Sequence, residues 1–158
     1  MSVNIALLTV TDTRTLENDK SGNILVEKIK KAKHNLVERK ICKDNKEDIK
    51  IILNEWTQKK DLDVIITTGG TGLTGRDITP EALDEIADKH IPGFGEIFRY
   101  FSLETVGTSS IQSRACAVLS NGKYIFALPG SSGGVTDAWD KILVHQLDIN
   151  HKPCNFVE

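Results

Sequence analysis

The central segment of the chain reads Thr67-Thr68-Gly69-Gly70-Thr71-Gly72-Leu73-Thr74-Gly75-Arg76-Asp77-Ile78-Thr79-Pro80-Glu81-Ala82. Residues 61–66, just before it, are rich in β-branched side chains and predict a strand. The glycines allow backbone N–H groups to approach a ligand without interference from a Cβ atom. Thr79 and Pro80 predict the N-cap and the first position of a helix. The segment therefore predicts a strand, an anion-binding turn from Gly69 to Ile78, and a helix.

The residues before this segment alternate between strand and helix patterns. Residues 5–10 form an apolar run, which is typical of a strand buried on both faces of a parallel sheet. Apolar residues at helical spacing follow over 24–32, and residues 36–41 predict a second strand. Asp44 and Glu47 then predict a capping box at the start of the next helix. This alternation predicts an α/β fold with a mostly parallel sheet.

The residues after it predict helices around Ala82–Ala87 and Phe94–Leu103, followed by one antiparallel pair of strands. Asn121-Gly122 is a strong two-residue hairpin signal, and it joins the apolar runs 116–120 and 124–128. A second glycine-rich turn, 129–134, precedes a last amphipathic helix. Ligands of open α/β sheets bind beyond the carboxyl ends of the strands, so both glycine-rich turns are expected to face one crevice.

Composition restricts the class of protein. The 158 residues fit one domain spanning 1–158. A net charge of −2 predicts neither a nucleic-acid partner nor a membrane surface. Three cysteines without Cys-x-x-Cys spacing argue against a disulfide framework or a zinc knuckle, and no stretch resembles a leader or a membrane span. These features predict a cytoplasmic protein.

Two chemistries remain open from the residues alone. Residues 70–75 fit the Gly-x-Gly-x-x-Gly pattern of nicotinamide-dependent oxidoreductases, although the predicted helix starts after the glycines instead of within them. Asp44 and Asp77 are candidate Mg²⁺ ligands, because this hard cation takes one or two carboxylates beside a phosphate substrate. From the residue pattern alone, Asp44 also fits a helix cap and Asp77 also fits a local turn with backbone amides. Asp12 and Asp19, after the first strand, are either ligand-binding or solvated acids.

Several ordered motifs carry a resemblance to a known family. They are Leu8-Thr9-Val10-Thr11-Asp12-Thr13-Arg14, Asp19-Lys20-Ser21-Gly22, residues 66–82, Pro92-Gly93-Phe94-Gly95-Glu96 with Phe98-Arg99, Ser113-Arg114, Leu128-Pro129-Gly130-Ser131 and Lys152-Pro153-Cys154-Asn155-Phe156. Together they span nearly the whole chain. The chain resembles the MogA-like molybdopterin-binding proteins of molybdenum cofactor biosynthesis, and its final motif resembles their MoaB branch.

The resemblance implies a three-layer α/β/α fold, assembly as a homotrimer or homohexamer, and contact with other cofactor-biosynthesis proteins. It implies binding of molybdopterin and, in catalytic members, its adenylylation with Mg²⁺ and ATP. By position, Asp44 and Asp77 match the catalytic, Mg²⁺-handling acids. The implied substrate-binding positions are Thr11, Asp12, Asp19, Ser21, Gly22, Gly69, Gly70, Thr71, Gly72, Pro129, Gly130 and Ser131.

Two positions depart from the catalytic members of that family. Asn45 stands where many of them carry a second acid, and Ser131-Ser132 replaces part of a Pro-Gly-x-Pro turn. A non-catalytic molybdopterin-binding or carrier protein is therefore the main alternative to an adenylyltransferase.

Overall fold

A six-stranded sheet forms the centre of the protein, whose computed structural model describes residues Met1–Glu158. The strands are β1 (Asn4–Val10), β2 (Asn35–Cys42), β3 (Val64–Thr68), β4 (Lys89–His90), β5 (Cys116–Ser120) and β6 (Lys123–Leu128). They lie in the order β2-β1-β3-β6-β5-β4, and β5 alone runs antiparallel to its neighbours. The predicted α/β fold, with a mostly parallel sheet and one antiparallel strand, is confirmed.

Helices cover both faces of this sheet. They are α1 (Lys20–Lys31), α2 (Lys46–Thr57), α3 (Thr79–Ile86), α4 (Pro92–Val106), α5 (Ser132–Ala138) and α6 (Val144–Gln146), with a 3₁₀ helix at Gly107–Gln112 and a π-helical turn at Trp139–Leu143. Helices α1, α4 and α5 belong to one apolar core, whereas α2 and α3 pack together on the opposite face. None of the helices combines the length and apolar character that a membrane span requires.

Alternate residues of the central strands supply the two cores. Leu7 and Ile66 lie in the core beneath α1 and α5, while their chain neighbours Leu8 and Ile65 lie in the core beneath α2 and α3. Successive side chains of a strand point to opposite faces, so a strand covered on both faces reads as a continuous apolar run. Both tryptophans, Trp56 and Trp139, are buried in these cores as their helical spacing predicts.

The predicted hairpin is confirmed in its details. Asn121 and Gly122 have φ angles of 47° and 75°, the positive values that a type I′ turn requires at both central positions. The turn pairs Ser120 with Lys123 and continues as the antiparallel ladder of β5 and β6. The two-residue edge strand β4 carries no sequence signal of its own.

Two of the predicted helix caps are wrong. Asn45, not Asp44, is the N-cap of α2, and its side chain accepts a hydrogen bond of 3.0 Å from the N–H of Asp48. Thr79 lies inside the first turn of α3, where Ile78 holds the cap position without any side-chain hydrogen bond. Both side chains predicted to cap are therefore available for other contacts.

Candidate functional site

A cleft of about 420 Å³ lies at the carboxyl ends of β1, β3 and β6. The sheet order reverses here, because β1 is followed by β2 on one side whereas β3 lies on the other. Such a switch point is where open α/β sheets bind ligands. The two glycine-rich turns both contribute to the cleft, as the sequence predicts.

The cleft brings together many of the residues predicted to form the site. Those that line it are Thr11, Ser21, Asp44, Gly69, Gly70, Asp77, Gly130 and Ser131. The predicted residues that do not line it are Asp12, Asp19, Gly22, Thr71, Gly72 and Pro129. Thr9, Val10, Thr13, Arg14 and Thr68 also line the cleft and were not among the predicted positions.

Asp44 enters the cleft from the loop between β2 and α2. Since Asn45 caps the helix, the Asp44 carboxylate is not used at the helix start, and the backbone N–H of Asp44 donates a 3.0 Å hydrogen bond to the Asp12 carboxylate. Burial and the nearby charge of Asp77 both raise the pKa of Asp44 above its ordinary value. Asp44 and Asp77 therefore repel each other across one cleft.

Asp77 responds in the opposite direction. Burial alone raises the pKa of this carboxyl, but hydrogen bonds from Thr74 and the Gly72 amide, together with the charge of Arg114, hold the pKa below its ordinary value. Its Oδ2 accepts from the Thr74 N–H at 2.9 Å and from the Thr74 hydroxyl at 2.7 Å. The local turn exists, and it coexists with a place in the cleft because a carboxylate has further acceptor sites.

The glycine turn is shaped by close contacts between loops. Gly69 and Gly70 have φ angles of 103° and 72°, and a Cβ at Gly70 would lie 2.3 Å from the Thr79 hydroxyl oxygen. That hydroxyl donates to the carbonyl of Gly69 at 2.9 Å, which fastens the turn to the start of α3. The N–H groups of Gly70 and Thr71 donate to no backbone carbonyl. Gly70 lines the cleft, so its N–H remains available to an anionic ligand.

The turn does not match a dinucleotide-binding fingerprint. Helix α3 begins at Thr79, beyond all the glycines of the pattern. In a dinucleotide site the glycines open the helix whose N-terminus binds the pyrophosphate.

Arg114 holds the glycine loop from outside the cleft. Its Nε donates to the carbonyl of Gly72 at 2.7 Å and its Nη2 to the carbonyl of Asp77 at 3.1 Å, while Nη1 pairs with Glu81. The Arg114 backbone N–H also donates to Thr71 at 2.9 Å. Sequence reasoning assigned Arg114 no role, although the Ser113-Arg114 motif marks it.

Asp19 is fully buried beneath the cleft. Its carboxylate accepts from the Thr9 hydroxyl at 2.5 Å, from the Gly22 N–H at 3.0 Å and from the Arg39 guanidinium at 3.3 Å. Burial raises its pKa, but these partners together lower it. Asp19 caps α1, and Ser21 and Gly22 lie in the first turn of that helix. Asp19 and Gly22 thus support the cleft without lining it.

The remaining predicted residues lie around the rim. Asp12 forms an ion pair with Arg76 of the glycine loop. The carbonyl of Pro129 accepts from the Thr68 hydroxyl at 2.8 Å, which joins the ends of β3 and β6. Ser131 lines both the cleft and a second pocket of about 650 Å³ between α4 and α5, which Pro129 also lines, so the two pockets are neighbours.

The donor set of the cleft suits one kind of metal. No group of three or more His, Cys, Asp and Glu side chains is placed to hold an ion. Two carboxylates, Asp44 and Asp77, line the cleft. Mg²⁺ is commonly held by one or two carboxylates together with substrate phosphates and waters, so these two acids fit Mg²⁺ bound with a phosphate substrate.

Comparison with known proteins places this geometry in a family context. A family model described as "Probable molybdopterin binding domain" matches residues 6–148. Molybdenum cofactor biosynthesis protein B of Escherichia coli K12 is 44% identical over 152 residues, which cover 96% of this chain and 89% of that protein.

Solved structures agree with this match. The crystal structure of a molybdenum cofactor biosynthesis protein B superposes with a TM-score of 0.90 at 44% identity, covering 93% of this chain and 92% of that one. MoaB from Pyrococcus furiosus, described as a tungsten cofactor synthesizing protein, gives a TM-score of 0.80 at 36% identity, covering 90% and 91% of the two chains.

Proposed function

Because this chain belongs to the MoaB branch of the MogA-like molybdopterin-binding family, we propose that it acts in molybdenum cofactor biosynthesis as a molybdopterin adenylyltransferase. The observation that carries this proposal is the convergence of Asp44 and Asp77 with the glycine turn in one cleft at the switch point of the sheet. We propose that residues 1–158 act as a single molybdopterin-binding domain.

The reaction joins two anions. An oxygen of the molybdopterin phosphate attacks the α-phosphorus of ATP, a new P–O bond forms, and the bond to the bridging oxygen breaks as pyrophosphate leaves with its electron pair. No side-chain nucleophile is required. The protein has to bring the two phosphates together and offset their repulsion.

Different residues of the cleft would bind the metal and the phosphates. Asp44 and Asp77 would hold Mg²⁺, which supplies Lewis-acid polarisation of the phosphoryl oxygens. Burial opposes ionisation of Asp77, but hydrogen bonds from Thr74 and the charge of Arg114 hold its pKa below the ordinary value and favour the carboxylate, and Arg114 also holds its loop in position. The free N–H group of Gly70, which lines the cleft, offers a fixed dipole to a phosphate oxygen.

The test is to incubate the purified protein with molybdopterin, ATP and Mg²⁺ while following pyrophosphate and adenylylated product. Asp44→Asn and Asp77→Asn should each lose turnover by at least about a hundredfold, since an electrostatic group in the reacting centre contributes about that much. Asp48→Asn is the matched control, because Asp48 is an exposed acid in the first turn of α2. Normal turnover in the Asp44 and Asp77 variants would contradict the assignment.

A non-catalytic carrier of molybdopterin is the second candidate. The Asn45 side chain is occupied in capping α2, so the loop after β2 offers a single acid to the cleft. A carrier should bind molybdopterin with the same affinity in the parent protein and in Asp44→Asn, and neither should release pyrophosphate.

Assembly as a homotrimer or homohexamer belongs to the same proposal. Ile97, Tyr100, Leu103 and Val106 of α4 expose large apolar side chains, which supports burial of this helix against another copy. The cytoplasmic location and any contact with other cofactor-biosynthesis proteins stay predictions.

A further inference from the structure

Arg14 is the only basic side chain that lines the cleft. It follows β1, and its N–H is held by the Thr11 hydroxyl at 3.3 Å. One nitrogen of its guanidinium, Nη1, donates to the Ser21 hydroxyl at 3.2 Å and to the carbonyl of Gly130 at 3.3 Å. The guanidinium is therefore anchored between the loops that follow β1 and β6.

The rest of the guanidinium has no acceptor. An arginine side chain carries five N–H donors, and those on Nε and Nη2 make no hydrogen bond to the protein here. The Arg14 side chain is 41% exposed. Paired nitrogens of this kind match two oxygens of a phosphate in a bidentate contact.

The charge of Arg14 is also incompletely balanced. The nearest carboxylate, that of the buried Asp19, lies 3.8 Å from Nη1 and is closer to Arg39, at 3.3 Å. Asp19 accepts a hydrogen bond from the Ser21 hydroxyl, which in turn accepts from Arg14. Asp19 thus orients Arg14 through Ser21 without neutralising it fully.

The groups that line the cleft differ in charge between the two faces of the sheet. Arg14, Ser21 and Ser131 belong to the segments that lead into or begin α1 and α5, on one face. Asp44 and Asp77 belong to the loops that lead into α2 and α3, on the other. A phosphate dianion is attracted to the first set and, without a metal, repelled by the second.

We propose that Arg14, positioned by Ser21 and Asp19, forms a metal-independent phosphomonoester subsite, distinct from the acid pair. Resting on the proposed function, this subsite takes the terminal phosphate of the pterin substrate, which leaves Asp44 and Asp77 to the metal-bound nucleotide. The subsite itself requires only a phosphomonoester.

The test is calorimetric titration of the intact protein with inorganic phosphate and with a simple alkyl phosphomonoester, both with EDTA present. The parent protein should bind both saturably, and Arg14→Gln should weaken both by about tenfold or more, since hydrogen bonds to charged groups are the strong ones. Arg14→Lys keeps the charge and loses the paired nitrogens, so its phosphate affinity should lie between those of the parent and Arg14→Gln. Lys20→Gln removes the same charge from an exposed neighbour in α1 and should bind like the parent.

The acid variants give the opposite pattern. Asp44→Asn and Asp77→Asn should bind phosphate in EDTA as tightly as the parent or more tightly, whereas both should weaken the Mg²⁺-dependent binding of a non-hydrolysable ATP analogue. Arg14→Gln should change that nucleotide binding by less than about threefold. Thermal unfolding of each variant shows that the comparison is made between folded proteins. If Arg14→Gln does not fold, Arg14→Lys replaces it in the binding comparison.

Three results would overturn the subsite. They are absence of phosphate binding in the parent protein, equal phosphate affinity in Arg14→Gln, and an equal loss in Arg14→Gln and Asp44→Asn. Absence of pyrophosphate release alongside Arg14-dependent phosphate binding would contradict the transferase and leave the subsite standing.

Discussion

The backbone N–H of Asp44 donates a 3.0 Å hydrogen bond to the carboxylate of Asp12. This contact joins the loop after β1 to the loop after β2. The same Asp12 carboxylate pairs with Arg76 of the glycine loop. Asp12 lies outside the lining of the cleft, yet it connects the two loops that carry the acids.

We therefore expect Asp12→Ala to lower turnover by about tenfold or more, because small displacements of a reacting group are costly. Asp12→Asn keeps an acceptor for the Asp44 N–H and should retain most of the activity. The stability of both variants to urea should change by less than about 1 kcal/mol, as expected for an exposed ion pair. Equal turnover of Asp12→Ala and the parent would contradict this positioning role.

The pKa of Asp44 should depend on Asp77. Since the charge of Asp77 contributes to the raised pKa of Asp44, Asp77→Asn should move that pKa back toward its ordinary value. A carboxyl ¹³C NMR titration of the metal-free protein measures this directly. An unchanged Asp44 titration in Asp77→Asn would show that burial alone sets the pKa.

The same shift predicts a cost in stability. A raised pKa means that the folded protein binds more protons at Asp44 than the unfolded chain does, between the ordinary carboxyl pKa and the raised value. The free energy of unfolding should therefore fall as the pH rises through this window. Asp44→Asn should be more stable than the parent at neutral pH, and the exposed control Asp48→Asn should not be. Urea denaturation at several pH values checks both statements.

Gly70 should be required for folding stability before any ligand is considered. Its φ of 72° costs a residue with a Cβ about 1–2 kcal/mol, and the added Cβ would lie 2.3 Å from the Thr79 hydroxyl oxygen. Gly70→Ala should thus lower the free energy of unfolding by at least that amount. Gly75→Ala is the control, because a Cβ there meets nothing within 4 Å. Adding Thr79→Ala to Gly70→Ala should relieve the clash with the Thr79 hydroxyl oxygen, but it leaves the backbone strain and removes the hydrogen bond from that hydroxyl to Gly69.

Arg114→Lys should loosen the glycine loop. Arg114 reaches its three acceptors from three separate nitrogens, which the single nitrogen of lysine does not reproduce, so amide hydrogen exchange over residues 71–77 should accelerate. A looser loop weakens the Thr74 hydrogen bonds that lower the pKa of Asp77, so that pKa should rise although the charge is kept, and turnover should fall by about tenfold. Arg76→Lys, an exposed change in the same loop, should leave the Asp77 pKa unaltered. Unchanged exchange in Arg114→Lys would contradict the clamp.

The sheet was predictable because its signals are local. Apolar runs mark the buried strands β1 and β3, and Asn121-Gly122 marks the hairpin through the backbone angles that this pair tolerates. The edge strand β4 was not predictable, since two exposed residues, Lys89 and His90, carry no periodicity and pair only because β5 lies beside them.

The predictions of the two helix caps were wrong for a related reason. Asp44 and Asn45 are both good capping residues, and the contact of the Asp44 N–H with Asp12, a residue 32 positions away, is invisible to local pattern. The same holds for Thr79, whose hydroxyl bonds to Gly69 across the loop. The ends of the predicted strands were enough to locate the cleft. The roles of Arg14 and Arg114 were not predictable, because both act through contacts with residues distant in the sequence.

The separation of the cleft between two faces of the sheet bears on how such a protein can diverge. Substitutions near α2 and α3 alter one set of groups, and substitutions near α1 and α5 alter the other, with the intact sheet between their cores. A gene copy that lost Asp44 or Asp77 would therefore still keep the residues of the proposed Arg14 phosphate subsite. An enzyme and a carrier that share this fold would then differ by only a few substitutions.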